Sequence, residues 1–266
     1  MKKLAFFAVA IAAMAFTACG GNKSTQPAED ADSVKSFEQQ QVEAKIKVEL
    51  DSLAAALSQL KQLPIIQGED GLKLTDQEKQ VKPEYLLAPT AAENAATLPE
   101  KYRMLSALSV DKKIAELYDL PTDEYQKAIS KLVADLNDPS FKSIEDAGSI
   151  FETSQALYTA MDENGRINFF WQLAAASFVE QLYVISQNTD KFLAAFDDDA
   201  AANVTYRIVL LIDAINRLTE YDTEIKPVAE AIAPLDVLNA ISVEQLKSQI
   251  AEANEKIKTA RAALFQ

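Results

Sequence analysis

The 266-residue chain carries 40 acidic against 26 basic side chains, a net charge of −14, and no histidine. That balance argues against nucleic acid and anionic lipid headgroups as partners, since both would repel it. The missing histidine excludes a Ser-His-Asp triad, a His-assisted cysteine and His-ligated zinc or haem.

At the amino terminus, Met1, Lys2 and Lys3 precede an apolar run, residues 4–16, that is too short to span a bilayer. Small residues, Thr17 and Ala18, then stand directly before Cys19, the sole cysteine, with Gly20 after it. This arrangement resembles a bacterial lipoprotein signal. The resemblance implies removal of residues 1–18 and acylation of Cys19, which leaves no free thiol for a disulfide or a nucleophile. It also implies a membrane partnership through the N-terminal lipid anchor, stable when more than one acyl chain is attached. Gly rather than Asp at position 20 implies the outer membrane, with the periplasmic and surface-facing sides both open. Loss of Lys2 and Lys3 would take the net charge from −14 to −16. Residues 19–32 are small, polar and acidic, as a disordered tether requires.

Six glycines leave little turn chemistry for sheets, so residues 33–266 are read as one all-α domain, a multi-helix bundle. The first long helix covers residues 34–63, where Val42, Ile46, Leu50, Leu53, Leu57 and Leu60 form one stripe and Pro64 ends the run. Residues 64–83 read as a linker with room for one helical turn, and the helical core as 84–266. A short helix is expected around Pro89. Thr97-Leu98-Pro99-Glu100 is a capping box opening a helix to about Tyr118. The next helix spans about 123–136, with Ile129, Leu132, Val133 and Leu136 inward, followed by a turn at Asn137-Asp138-Pro139. A further helix is read over 144–161.

Residues 167–187, INFFWQLAAASFVEQLYVISQ, hold a single charged side chain, Glu180, and are apolar all round the helical wheel. Such a helix is the centre of a bundle or a membrane span. Asn168, Gln172, Glu180 and Gln181 would be costly in hydrocarbon, which favours the bundle. Asn188 or Thr189 caps a short helix through Phe196. Asp197 to Asp199 cap a helix over 200–221, whose stripe includes Val204, Ile208, Leu211, Ile212, Ile215 and Leu218. These three acids serve as caps and dipole partners rather than as a metal site. A shorter segment covers 225–234. Ser242 and Gln245 open a last helix through about Leu264, with Leu246, Ile250, Ala253, Ile257 and Ala260 at heptad rhythm. The matching stripes of the two terminal helices predict that they pack side by side.

Candidate site residues follow from this frame. Glu180, alone in an apolar helix, is a proton-transfer group or ligand contact of raised pKa, or a structural charge that pairs with an Arg or Tyr or sits where the helix reaches water. Ala107 to Asp111 and Ala176 to Glu180 both read A-x-x-V-acid, with Tyr118 and Tyr183 following; if the two helices are quasi-equivalent, Asp111 and Glu180 occupy related places in the bundle, although three fixed residues in five is close to chance. Phe169, Phe170, Trp171, Phe178 and Tyr183 supply core aromatics or the wall of a ligand pocket. No nucleotide loop, EF-hand or metal-ligand spacing is present in the sequence, so no cofactor and no metal are expected.

The segments KYRMLSALSVDKKIAELYDL (101–120) and WQLAAASFVEQLYVIS (171–186) are similar to those of a group of uncharacterised all-helical bacterial envelope lipoproteins. The similarity extends from Glu84 to about Leu235, with Ala107 and Ser109 standing where the group has glycines. It implies helices and an envelope location, and it transfers no catalytic residue. The reading is a non-enzymatic outer-membrane lipoprotein whose helical domain binds an envelope protein or a small ligand. The alternatives are a carboxylate-based glycan hydrolase and a structural subunit of an envelope complex.

Overall fold

The computed structural model describes residues 37–141 and 154–265. The signal, Cys19, the tether, the start of the first helix and the start of the helix read over 144–161 lie outside the described residues.

The molecule is all-α, a multi-helix bundle built around Ile167–Gln187. The longer helices are α1 (Phe37–Gln59), α3 (Leu98–Leu117), α4 (Asp123–Leu136), α5 (Ser154–Glu163), α6 (Ile167–Gln187), α8 (Asp198–Leu218), α9 (Lys226–Ile232) and α10 (Val243–Phe265). Single turns form α2 (Asp76–Lys79) and α7 (Thr189–Phe192). Among the described residues no helix is long and apolar enough to cross a membrane.

Local chemistry sets the boundaries. Thr97 and Glu100 close their capping box at α3, with the Glu100 carboxylate accepting from the Thr97 N–H at 2.9 Å. Asp197 caps α8 by accepting from the Ala200 N–H at 2.7 Å, and Asn188 caps α7 by accepting from the Lys191 N–H at 3.1 Å. Gly165, at φ +67°, and the bond from the Arg166 N–H to the Met161 carbonyl end α5 and aim the chain into α6. Helix α7 stops at Phe192 and α8 at Leu218, each a few residues short of expectation.

Every direction round α6 is covered, which is why it tolerates apolar residues on every side. Helix α3 makes the largest interface with it, α10 the next, and α5 and α8 take the remaining faces. Helices α3 and α6 run parallel: Arg103 meets Gln172 and Ser106 meets Leu173 at sequence offsets of 69 and 67. Ser106, Ala107, Ala175 and Ala176 are all fully buried at this crossing, so small side chains let the two backbones approach. Helix α10 runs antiparallel to α6, as shown by Arg261 against Glu180 and Lys247 against Asp190 near the other end.

The terminal helices share the bundle, but they do not pair side by side. Helix α1 seals against α8 and α5, and α10 seals against α6 and α9. The physical reason is that α6 offers a wider apolar surface than α1, so the narrow seam of α10, with Ala253 and Ala260 buried to 1%, docks there. Only the second half of α1 carries a sealed stripe. Leu50, Ala54 and Leu57 are buried, whereas Val42 is 47% exposed rather than core.

Helix α1 also ends at Gln59, before Pro64 can stop it. The first carbonyls beyond its end turn to side chains of α8: Asn203 Nδ2 donates to Lys61 O at 2.8 Å, and Arg207 Nη2 donates to Leu60 O and Lys61 O at 3.2 and 2.6 Å. The segment expected as a linker is packed chain. Leu63, Ile65, Ile66, Leu72 and Leu74 are buried along it. At Gly71 an added Cβ would sit 2.2 Å from the Pro64 carbonyl oxygen, so this close approach requires glycine.

Candidate functional site: a buried charge cluster and an adjoining cavity

Polar groups interrupt the apolar interior around α6 in several places, and two of these bear on function. The first joins sequence-predicted residues. Glu180 (α6) and Asp111 (α3) are both fully buried and act on each other electrostatically. Their sequence offset of 69 is the register of the parallel α3–α6 pair, so the repeated A-x-x-V-acid pattern does place them in related positions. Arg261 on α10 clamps Glu180 with two bonds, Nε to Oε2 and Nη2 to Oε1, both 2.8 Å. A second bond from Arg261 Nη2 reaches Tyr85 O at 3.2 Å. The Tyr183 ring lies 3.9 Å from the guanidinium carbon and completes the shell by cation–π contact. The Leu87 N–H donates to Asp111 Oδ2 at 2.8 Å, and the Tyr125 hydroxyl donates to Leu87 O at 2.8 Å.

Two acids and one base share this space, so charge balance calls for one proton. Burial pushes both carboxyls upward, and Glu180 acts further on Asp111, while Arg261 draws Glu180 back down. Asp111 therefore holds the proton and donates it to Glu180, which stays ionised against Arg261. Asp111 Oδ1 is buried with no donor facing it, as a protonated oxygen requires. The cluster is satisfied within the fold.

A testable consequence concerns pH. Asp111 has a folded pKa above its unfolded value, so its stabilising contribution is full below the ordinary carboxylate range. That contribution is lost as pH rises through the raised folded value. Asp111→Asn keeps the Leu87 contact and a donor toward Glu180 but does not titrate. Melting temperatures from pH 4.5 upward should show wild type losing ground to Asp111→Asn as pH rises. Parallel melting curves would contradict the proton assignment.

The second polar place is a cavity of about 90 Å³ between the end of α1, the chain after it, and α6 with α8. Leu57, Leu60, Phe170, Leu173, Phe178 and Leu211 make most of its wall, and Arg207 and Gln181 stand in it as polar lining. Gln181 Nε2 is held by the Ser177 carbonyl and hydroxyl at 3.2 and 3.0 Å, leaving its Oε1 buried without a donor. Arg207 Nη2 is anchored on the α1 carbonyls, while its Nε is buried without an acceptor. Among the described residues no carboxylate forms an ion pair with Arg207. Burial alone acts on it, pulling its pKa down to about 10, still charged at neutral pH.

Of the four residues singled out in the sequence, Asp111, Glu180 and Tyr183 come together. Trp171 does not. It is fully buried elsewhere on α6, edge-on to Phe170 and Tyr158, as core. Phe170 and Phe178 do wall a cavity, as the pocket alternative for the aromatic group required. Sequence reasoning missed Arg261 as a named partner and missed Arg207 altogether. Arg207 was detectable, since it lies three residues after Val204 and four before Leu211, inside the apolar stripe of α8. Among the described residues no group of acids is arranged to hold a metal, and the Asp197–Asp199 run serves capping instead, Asp198 accepting from the Val243 N–H at 3.0 Å. No protein-family model, curated protein or solved structure matches this chain.

Proposed function

We propose that the chain is an outer-membrane lipoprotein tethered through Cys19, whose helical domain binds a small molecule in the cavity beneath α1. The observation that carries the binding reading is the cavity itself, a partly open, mostly apolar cleft with Arg207 in its wall and, among the described residues, no carboxylate in its lining. A mostly apolar cleft with a few placed polar groups is the usual form of a small-molecule site. The hydrolase alternative draws little support from this geometry. The cavity lining contains no carboxylate, and the one intimate acid pair, Asp111 and Glu180, is closed off by Arg261. Glycosidases need their two acids separated across an accessible cleft.

Native mass spectrometry of the protein released gently from its own envelope tests both halves of the reading. The expected mass is Cys19–Gln266 with acyl chains and an additional small bound species. Retention of residues 1–18 would refute the anchor. A bound protein with no small species would move the assignment to a scaffold.

A further inference from the structure

We infer that the cavity beneath α1 takes the terminal carboxamide of a small uncharged ligand, its oxygen accepting from Arg207 Nε and its nitrogen donating to Gln181 Oε1. The inference rests on the binding reading above and gives it a ligand class.

Two unmet atoms decide the head group. Gln181 lines the cavity and is only 5% exposed. Its Nε2 is spent on the Ser177 carbonyl and hydroxyl, so a flipped amide would set its oxygen against that carbonyl. Gln181 Oε1 therefore remains an acceptor with no donor. Arg207 also lines the cavity but is only partly buried, and its Nη2 holds the Leu60 and Lys61 carbonyls at the protein surface. Its charge reaches water there. What it leaves enclosed is one N–H, at Nε, with no acceptor. The two atoms ask for one acceptor and one donor, and for no net charge. A carboxamide carries both on one planar group. A carboxylate or a ketone lacks the donor, and an ammonium lacks the acceptor. Ser106 and Ser177 in the same lining are already bonded, Ser106 Oγ donating to Leu173 O at 2.8 Å.

Volume decides the size. Water occupies about 30 Å³ in the liquid, so a cavity of about 90 Å³ takes about three heavy atoms, the number in a terminal carboxamide. The cavity is partly open, so the rest of the ligand extends outward. Water can meet the same two atoms, but three waters here would turn most of their other bonds toward leucine and phenylalanine. The amide meets both atoms with one molecule and sets its carbon against that wall. A site built on such bonds rejects an analogue that lacks one of them, because a buried group is then left unpaired.

The test uses the full-length chain, labelled with nitrogen-15 and held in detergent, with three probes of one shape: acetamide, acetone and acetate. Acetone keeps the acceptor without the donor, and acetate adds charge. Binding is read by NMR from the side-chain N–H signals of Arg207 Nε and Gln181 Nε2, in roughly the millimolar range open to so few atoms. Acetamide should bind at least fivefold more tightly than either other probe. Gln181→Met, which keeps the length of the side chain and removes the acceptor, should bring acetamide down to the level of acetone. Ala174→Leu, which fills the cavity and leaves both polar residues in place, should block all three probes with the melting temperature retained. Equal binding of acetamide and acetone, tighter binding of acetate, or an acetamide preference that survives Gln181→Met overturns the carboxamide inference and leaves the cavity to another ligand. Absence of binding by every probe overturns it as well. Native mass spectrometry then separates the two failures: a small species still bound keeps the binding reading, and none removes it.

Discussion

Glu180→Ala is expected to destabilise the domain by about 3–5 kcal/mol, the usual consequence of removing one partner from a buried ion pair. For a domain of this size that corresponds to a fall in melting temperature of roughly 6–20 °C. The cause is the charge left behind more than the bond lost. Arg261 is largely buried, with two of its nitrogens spent on Glu180, and its other recorded partners are the Tyr85 carbonyl and the Tyr183 ring. Neither neutralises a cation. One relief is available: Asp111 lies in the same cluster and can give up its proton and turn its charge to Arg261. The cost of Glu180→Ala is therefore buffered by Asp111, and a double-mutant cycle exposes the buffer. Asp111→Asn alone should cost little near neutral pH. Combined with Glu180→Ala it should cost clearly more than the sum of the two single changes, because no carboxylate is then left for Arg261. Additive costs, measured by denaturant or thermal unfolding, would mean that Asp111 does not answer to Arg261 and that the shared-proton description is wrong.

The cluster also shows where sequence reasoning reaches and where it stops. Helix α6 was legible to the residue, because a long stretch apolar on every side can be satisfied in few ways. The capping boxes at Thr97 and the cap at Asp197 were legible because they are short-range chemistry. Which helix meets which was not legible from stripe rhythm alone. Helices α1 and α10 have similar spacing, yet the breadth of the partner's apolar surface decides the pairing, and that is a property of two elements at once. The Asp111–Glu180 juxtaposition was readable for a different reason. Parallel helices in constant register put equivalent positions of a repeated pattern side by side, so an echo 69 residues apart became a contact. Arg261 was hidden because its neighbours on α10, including Lys256, Lys258 and exposed Glu255, give it the look of a solvated face. Its separation of 81 residues from Glu180 leaves no local signal. The cavity was hidden for a related reason, since it is bounded by residues from α1, α3, α5, α6 and α8, and no single segment contains it.

Trp171→Ala is expected to cost about 3–5 kcal/mol, the range for deleting a large buried aromatic. Trp171 is the largest of the fully buried side chains and lies edge-on to Phe170 at a centroid distance of 5.3 Å and to Tyr158 at 6.2 Å. Removing it opens a void near the start of α6, where α3 and α5 also pack, so collapse from one side is opposed by the others. Its indole N–H makes no hydrogen bond in the fold, which separates packing from polarity as the source of the loss. If packing dominates, Trp171→Phe should cost much less than Trp171→Ala, since the ring contacts are largely kept and an unmet donor is removed. The comparison also bears on the cavity. Phe170 is shared between the aromatic cluster and the cavity wall, so a void at Trp171 allows Phe170 to withdraw and the cavity to widen. A stability loss of equal size in both variants would mean that the ring contacts a phenylalanine keeps contribute nothing, and would overturn the packing account.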